Sequence, residues 1–72
     1  MSTRRRDLLR IIGAEARRQG VPWEVLREGA NHTVWALGSK RIPMPRHTTI
    51  GAGLVEQILK ETQAELGKGW WR

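Results

Sequence analysis

Cysteine is absent from the chain, which excludes disulfide staples, thiolate metal sites and a thiol nucleophile. Small secreted domains normally need such staples, so their absence points to an intracellular, cytoplasmic setting. Long apolar runs are missing as well. The opening stretch MSTRRRDLLRIIGAEARR mixes arginines with apolar residues and holds no apolar block of signal-peptide length. Nothing approaches the roughly 20 apolar residues of a membrane span. Acidic residues are few: seven Asp and Glu stand against thirteen Lys and Arg, for a net charge of +6 and a pI near 11.4. With 72 residues there is room for one domain, 1–72. A domain of this size buries only roughly 60% of its unfolded surface, so its core is thin.

What is present is basic, and mostly arginine. A charge of +6 on so short a chain implies a polyanionic partner, nucleic acid or an acidic protein. Arg outnumbers Lys ten to three. Guanidinium forks grip phosphate bidentately and stack on bases, which favours nucleic acid over a surface that merely keeps the domain soluble.

Apolar spacing predicts a helix from Thr3 to Gln19, with Leu8, Ile11, Ile12 and Ala16 as its buried stripe. Thr3 is its candidate cap, Asp7 sits near the first turn, and Gly20 and Pro22 stop it. Gly13 costs about 1 kcal/mol relative to alanine. Arg4, Arg5 and Arg6 oppose the macrodipole at the helix start, a broken local rule that hints at a use for the charge. With Arg17 and Arg18 they otherwise read as a solvated helix face that steers RNA without specificity.

From Trp23 the period shifts towards two. WEVLRE, HTVWAL and KRIPMP read as three strands, joined by the turn Gly29-Ala30-Asn31 and the hairpin turn Gly38-Ser39. Pro43 and Pro45 cannot donate to a ladder, so the third strand lies at a sheet edge and the second at the centre. A second helix follows from about Gly51 to Leu66, with Thr48 and Thr49 as cap candidates and Leu54, Val55, Ile58, Leu59 and Leu66 as its apolar face. Glu56 and Lys60 form a surface pair on it, and Gly67 ends it. The order is α-β-β-β-α, an α+β two-layer sandwich with both helices on one face of a three-stranded antiparallel sheet. The core spans about residues 3–66. In the tail, 67–72, Trp70 and Trp71 fold back as a cap on the core, stack on bases or meet a partner.

Along the second strand His32, Val34 and Ala36 share one face, while Thr33, Trp35 and Leu37 share the other. Trp35 and Leu37 suit the face under the helices, and Trp23 joins Trp35 in the core. His32 is thereby left on the open side beside a turn. Imidazole changes charge near neutral pH and is the commonest general acid-base group, so this is where a proton could be exchanged with a phosphodiester. Gly29 suits a positive φ or a close approach to phosphate. Asn31 suits a left-handed turn conformation or a contact to base or phosphate. Two histidines without an acidic cluster make a poor metal site.

GANH, an aromatic-bearing strand, a hairpin, PMPRH and the amphipathic GLVEQILKE follow one another in an order that resembles the HicA family of mRNA interferase toxins. The resemblance runs from about Leu8 to Glu61. The family motif falls on Gly29, Ala30, Asn31 and His32, with Ala30 where serine is common. A second block falls on Pro45, Arg46 and His47. The tail after Thr62 departs from the family's usual early stop. The resemblance implies a double-stranded-RNA-binding-domain-like fold and a metal-independent endoribonuclease without cofactor. It also implies a HicB-type antitoxin as partner, in the cytoplasm, with no membrane. His32 would be the catalytic residue, taking the proton of a ribose 2′-hydroxyl. Lys40, Arg41 and Arg46 are candidates to stabilise the phosphorane, and His47 is available as an acid or as a hydrogen-bonded turn residue. Gly29 and Asn31 would flank RNA. The alternative is an RNA-binding module of the same fold that performs no chemistry.

Overall fold

After Pro22 the chain gives up helical spacing and enters a sheet, and that change divides the molecule into its two layers. In the computed structural model, which describes residues 2–72, strand β1 (Thr3–Arg4) leads directly into helix α1 (Arg5–Gln19). Strands β2 (Trp23–Glu28), β3 (His32–Leu37) and β4 (Lys40–Pro45) follow, then β5 (Thr49–Ile50) and helix α2 (Ala52–Leu66). The three longer strands form an antiparallel sheet in the order β2-β3-β4, and β1 pairs with β5 in a two-residue ribbon of its own.

Strand β3 is central because β4 carries the two prolines, whose missing N–H groups suit an edge. The β3–β4 register sets Leu37 opposite Lys40 and His32 opposite Pro45. On β2 the register slips between Val25 and Arg27, leaving Leu26 as an extra residue. At the β3–β4 turn Gly38 adopts φ +58°, and the Glu65 carboxylate lies where a Cβ would stand, so another residue here would be strained and would displace the Glu65 side chain. Ser39 Oγ donates to the Glu65 carboxylate at 2.9 Å, tying the hairpin to α2.

Leu37, Ile42 and Met44 lie on one face of the sheet, and Leu8, Ile12 and Ala16 of α1 join Ile58, Leu59 and Leu66 of α2 over them in a single buried cluster. Both helices therefore cover that face. The apolar stripe of α1 leans towards half-buried Leu9 rather than Ile11, which is 41% exposed. Leu54, in the first turn of α2, also stays exposed. Trp23 and Trp35 are half-buried, packed against the core, and stacked at 4.4 Å between centroids. A Cβ on Gly13 would meet the Trp23 ring at 3.0 Å. The glycine that weakens the helix is thus the one that lets the indole lie against it.

Both helix starts correct the sequence reading. Thr3 is not a cap: it sits in β1 opposite Ile50, and Arg4 precedes α1 without a side-chain cap. Thr48 and Thr49 do not cap α2, whose N-cap is Gly51. Instead, Thr49 pairs with Arg4, and the Thr48 carbonyl accepts the Arg5 N–H at 2.8 Å. A ribbon of two residues a side has no periodicity to read, and ladder bonds replace the caps. The helix ends follow expectation, with Gly20 at φ 73° and Gly67 at φ 100°. Of the three readings of the tail, capping is the one seen. Trp70 and Trp71 pack on the core, and the Trp70 indole N–H donates to Thr62 Oγ1 at 2.6 Å.

Near the end of α1 the Glu15 carboxylate accepts hydrogen bonds from the Arg18 guanidinium and from Gln19 Nε2, the latter at 2.6 Å. Gln19 Nε2 also donates to the Leu66 carbonyl, joining the ends of the two helices. The Arg18 hydrogen bonds, then that of Gln19, pull the Glu15 carboxyl down to about 2. None of the described helices is long and apolar enough to cross a membrane.

Two outcomes follow from this packing. Gly13→Leu overpacks against Trp23 and destabilises the domain by about 1–3 kcal/mol, whereas Ala14→Leu on the exposed side stays within about 0.5 kcal/mol, both read from denaturant melts. Because folding lowers the Glu15 pKa, its contribution is present above the unfolded carboxyl value of about 4.3 and is lost as pH falls from there towards about 2. Glu15→Gln therefore melts below the wild type at pH 7, and the gap closes across that acid window.

Candidate functional site

The end of the sheet where β3 begins and β4 ends gathers most of the polar side chains that the sequence singled out. His32 opens β3, its side chain exposed, directly opposite Pro45. Its backbone is fixed from the turn: the Gly29 N–H donates to the His32 carbonyl at 2.7 Å. A Cβ on residue 29 would stand 2.8 Å from that same oxygen, so the position requires glycine. Gly29 thus makes a close approach, as expected, but to the chain's own carbonyl. Its φ is not positive, nor is that of any described residue other than glycine, so Asn31 is not in a left-handed turn conformation. Asn31 is exposed beside His32.

Arg46 follows Pro45 and reaches back over the turn, donating to the Gly29 carbonyl at 2.8 Å and approaching the Glu28 carboxylate at 3.8 Å. His47 is exposed next to it and makes no side-chain hydrogen bond among the described residues, so it does not hold the turn in the way a structural reading of PRH expects. Lys40 and Arg41 do not join this group. Lys40 pairs with Leu37 five positions along β3 from His32, roughly 17 Å away. Arg41 pairs with Ala36, roughly 13 Å along, in a shallow hollow with Leu26, Arg27 and Val34 on the uncovered sheet face. These two follow His32 closely in sequence, but the hairpin carries them to the other end of the sheet.

The principal residue not anticipated is Arg5. Its Nε–H donates to the Pro45 carbonyl at 2.9 Å and its Nη2 to Thr33 Oγ1 at 3.2 Å. Thr33 is buried, and its hydroxyl passes a hydrogen bond on to Glu28 at 3.0 Å. Arg5, Thr33, Glu28 and Arg46 therefore form one connected polar chain around the backbone of His32 and Pro45. In sequence the only trace of this was the placing of three arginines where a helix start disfavours them. Arg4, Arg5, Arg6, Arg46, Thr48 and Thr49 line an open cleft of about 530 Å³ beside this chain. No group of three or more His, Asp or Glu side chains is arranged to hold a metal ion among the described residues.

Chemically, the corner offers an exposed imidazole on a fixed backbone, with the guanidiniums of Arg5 and Arg46 bonded to the residues around it, Pro45, Thr33 and Gly29. That combination suits proton transfer at a phosphodiester whose developing charge the guanidiniums offset. The fixed part is testable by stability. Arg5→Ala removes charge-assisted bonds to Pro45 and Thr33 and costs about 1.5–3 kcal/mol in denaturant melts, whereas Arg4→Ala and Arg6→Ala, both at exposed positions, stay within about 0.5 kcal/mol. Compared with family models, curated proteins and solved structures, the chain finds no match, which leaves the arrangement of its own residues to speak for its chemistry.

Proposed function

We propose that the chain is an endoribonuclease, an mRNA interferase of the kind the HicA resemblance implies, built on a double-stranded-RNA-binding-domain-like sandwich and acting in the cytoplasm. The observation that carries the reading is the exposed His32 side chain at the start of the central strand, with the guanidiniums of Arg5 and Arg46 fixed around the same corner.

RNA brings its own nucleophile, the 2′-hydroxyl, so the step needs a base, a proton for the leaving oxygen and cations. His32 takes the 2′-hydroxyl proton. The freed oxygen attacks the adjacent phosphorus, the bond from phosphorus to the 5′ oxygen breaks, and that oxygen takes up a proton. The products are a 2′,3′-cyclic phosphate and a 5′-hydroxyl. Negative charge on the phosphorane falls nearest Arg46 among the cations the sequence named. Lys40 and Arg41, at the far end of the sheet, serve substrate binding in this reading. His47, exposed on the loop after Arg46, is the second imidazole at this corner and the one to test as the acid. A HicB-type antitoxin would inhibit the enzyme by covering His32, and an acidic surface on it would complement the charge of +6.

His32→Ala tests the assignment. Its exposed position predicts a melting curve within about 0.5 kcal/mol of the wild type, while cleavage of single-stranded RNA in EDTA falls by about 10²-fold or more. Undiminished cleavage would remove His32 from the mechanism. Salt-sensitive RNA binding by a wild type that cuts no RNA would favour a binding module instead.

A further inference from the structure

Arg4 and Arg6 have no evident task in holding the fold. Arg5 is committed to Pro45 and Thr33, and Arg46 to Gly29 and Glu28. Arg4 is exposed and makes no ion pair among the described residues, and Arg6 approaches the neighbouring Asp7 carboxylate only at 3.9 Å. Yet all four arginines line one cleft, together with Thr48 and Thr49. The ribbon builds this arrangement: β1 sets Arg4 opposite Thr49, and the Arg5 N–H closes on the Thr48 carbonyl.

Such a gathering is electrostatically unfavourable as it stands. Like charges repel, and the start of α1 adds roughly half a positive charge from its macrodipole to the same place. An anion between them would reverse the balance. The donors are guanidinium forks and threonine hydroxyls, the groups that bond phosphate oxygens in nucleic-acid backbones. The volume, about 530 Å³, exceeds what one phosphate fills and suits a length of strand. The cleft also abuts the proposed site. Arg5 holds the carbonyl of Pro45, the residue paired with His32, and Arg46 is the next residue along, so a strand lying in the cleft passes the strand pair that carries the imidazole.

We propose that this cleft is the track for the backbone of single-stranded RNA, with Arg4 and Arg6 gripping phosphates that flank the scissile linkage. The identity of the strand rests on the ribonuclease reading; the phosphate chemistry of the cleft does not.

The test is a binding measurement that needs no cleavage. A fluorescein-labelled RNA of about ten nucleotides, within the length such sites cover, carries 2′-O-methyl groups throughout and cannot be cut by the proposed route. Anisotropy is followed across a salt series for the wild type, R4Q/R6Q and R17Q/R18Q. The last pair removes the same charge roughly 18 Å further along α1. R4Q/R6Q is expected to weaken binding about tenfold or more and to flatten the salt slope by about 1.4, for two lost contacts to a single strand. R17Q/R18Q is expected to change affinity less than about threefold, because exposed charges that distant are largely screened. R4K/R6K keeps the charge and recovers the slope, with part of the affinity still missing for want of the fork. Equal weakening by the two glutamine pairs, wild-type binding by R4Q/R6Q, or no binding by the wild type would each overturn the proposal. If binding depends on Arg4 and Arg6 but the wild type cuts no RNA, the cleft stands and the ribonuclease reading falls. If cleavage depends on His32 while R4Q/R6Q binds normally, the reverse holds.

Discussion

The guanidinium of Arg5 joins two parts of the molecule that would otherwise share only a thin apolar core. It lies at the first position of α1, yet its hydrogen bonds go to Thr33 on the central strand and Pro45 at the end of the edge strand, up to 40 residues away in sequence. Pro45 ends a strand that has given up ladder donors to its prolines, so its carbonyl is held from the helical side instead. The tie fixes the relation between the start of α1 and the corner carrying His32. It also explains why a helix should begin with arginine against its own dipole: the charge is used in a bond across the fold, and its two neighbours face a cleft.

Rigidity and exposure are divided between neighbouring residues at this corner. Thr33 is buried and spends its hydroxyl on Arg5 and Glu28, while His32, one residue earlier, turns its ring to solvent. The alternation of a strand makes that possible, since adjacent side chains point to opposite faces. Gly29 completes the arrangement by approaching the His32 carbonyl more closely than any residue with a Cβ could. In the proposed mechanism this leaves a positioned imidazole free to reach a proton on the substrate.

The three long strands were legible because their apolar spacing, their glycine turns and the two prolines all agree. Trp23–Glu28, His32–Leu37 and Lys40–Pro45 lie where the sequence placed them, and β4 is at the edge. The two-residue ribbon was not legible, because Thr3 and Thr49 look like helix caps and two residues carry no period. Its consequence, the cleft, was hidden with it. Ile11 fits the helical period yet stays exposed, since the stripe turns towards Leu9. The candidate site divides in the same manner. His32, Gly29 and Arg46 are brought together by a turn and one strand pairing, which local sequence reports. Lys40 and Arg41 are carried away by the hairpin, and Arg5 is brought in by a contact that only the folded chain creates.

In the proposed reaction the His32 imidazole removes the proton of a ribose hydroxyl and the RNA thereby cuts itself. The most direct measurement is the chemistry of the ends left when the wild-type protein acts on single-stranded RNA in EDTA. The account predicts 2′,3′-cyclic phosphate on one fragment and a 5′-hydroxyl on the other, the latter accepting phosphate from a polynucleotide kinase without prior dephosphorylation. Fragments ending in 3′-hydroxyl and 5′-phosphate would contradict it, because water, and not the 2′-oxygen, would then have attacked the phosphorus.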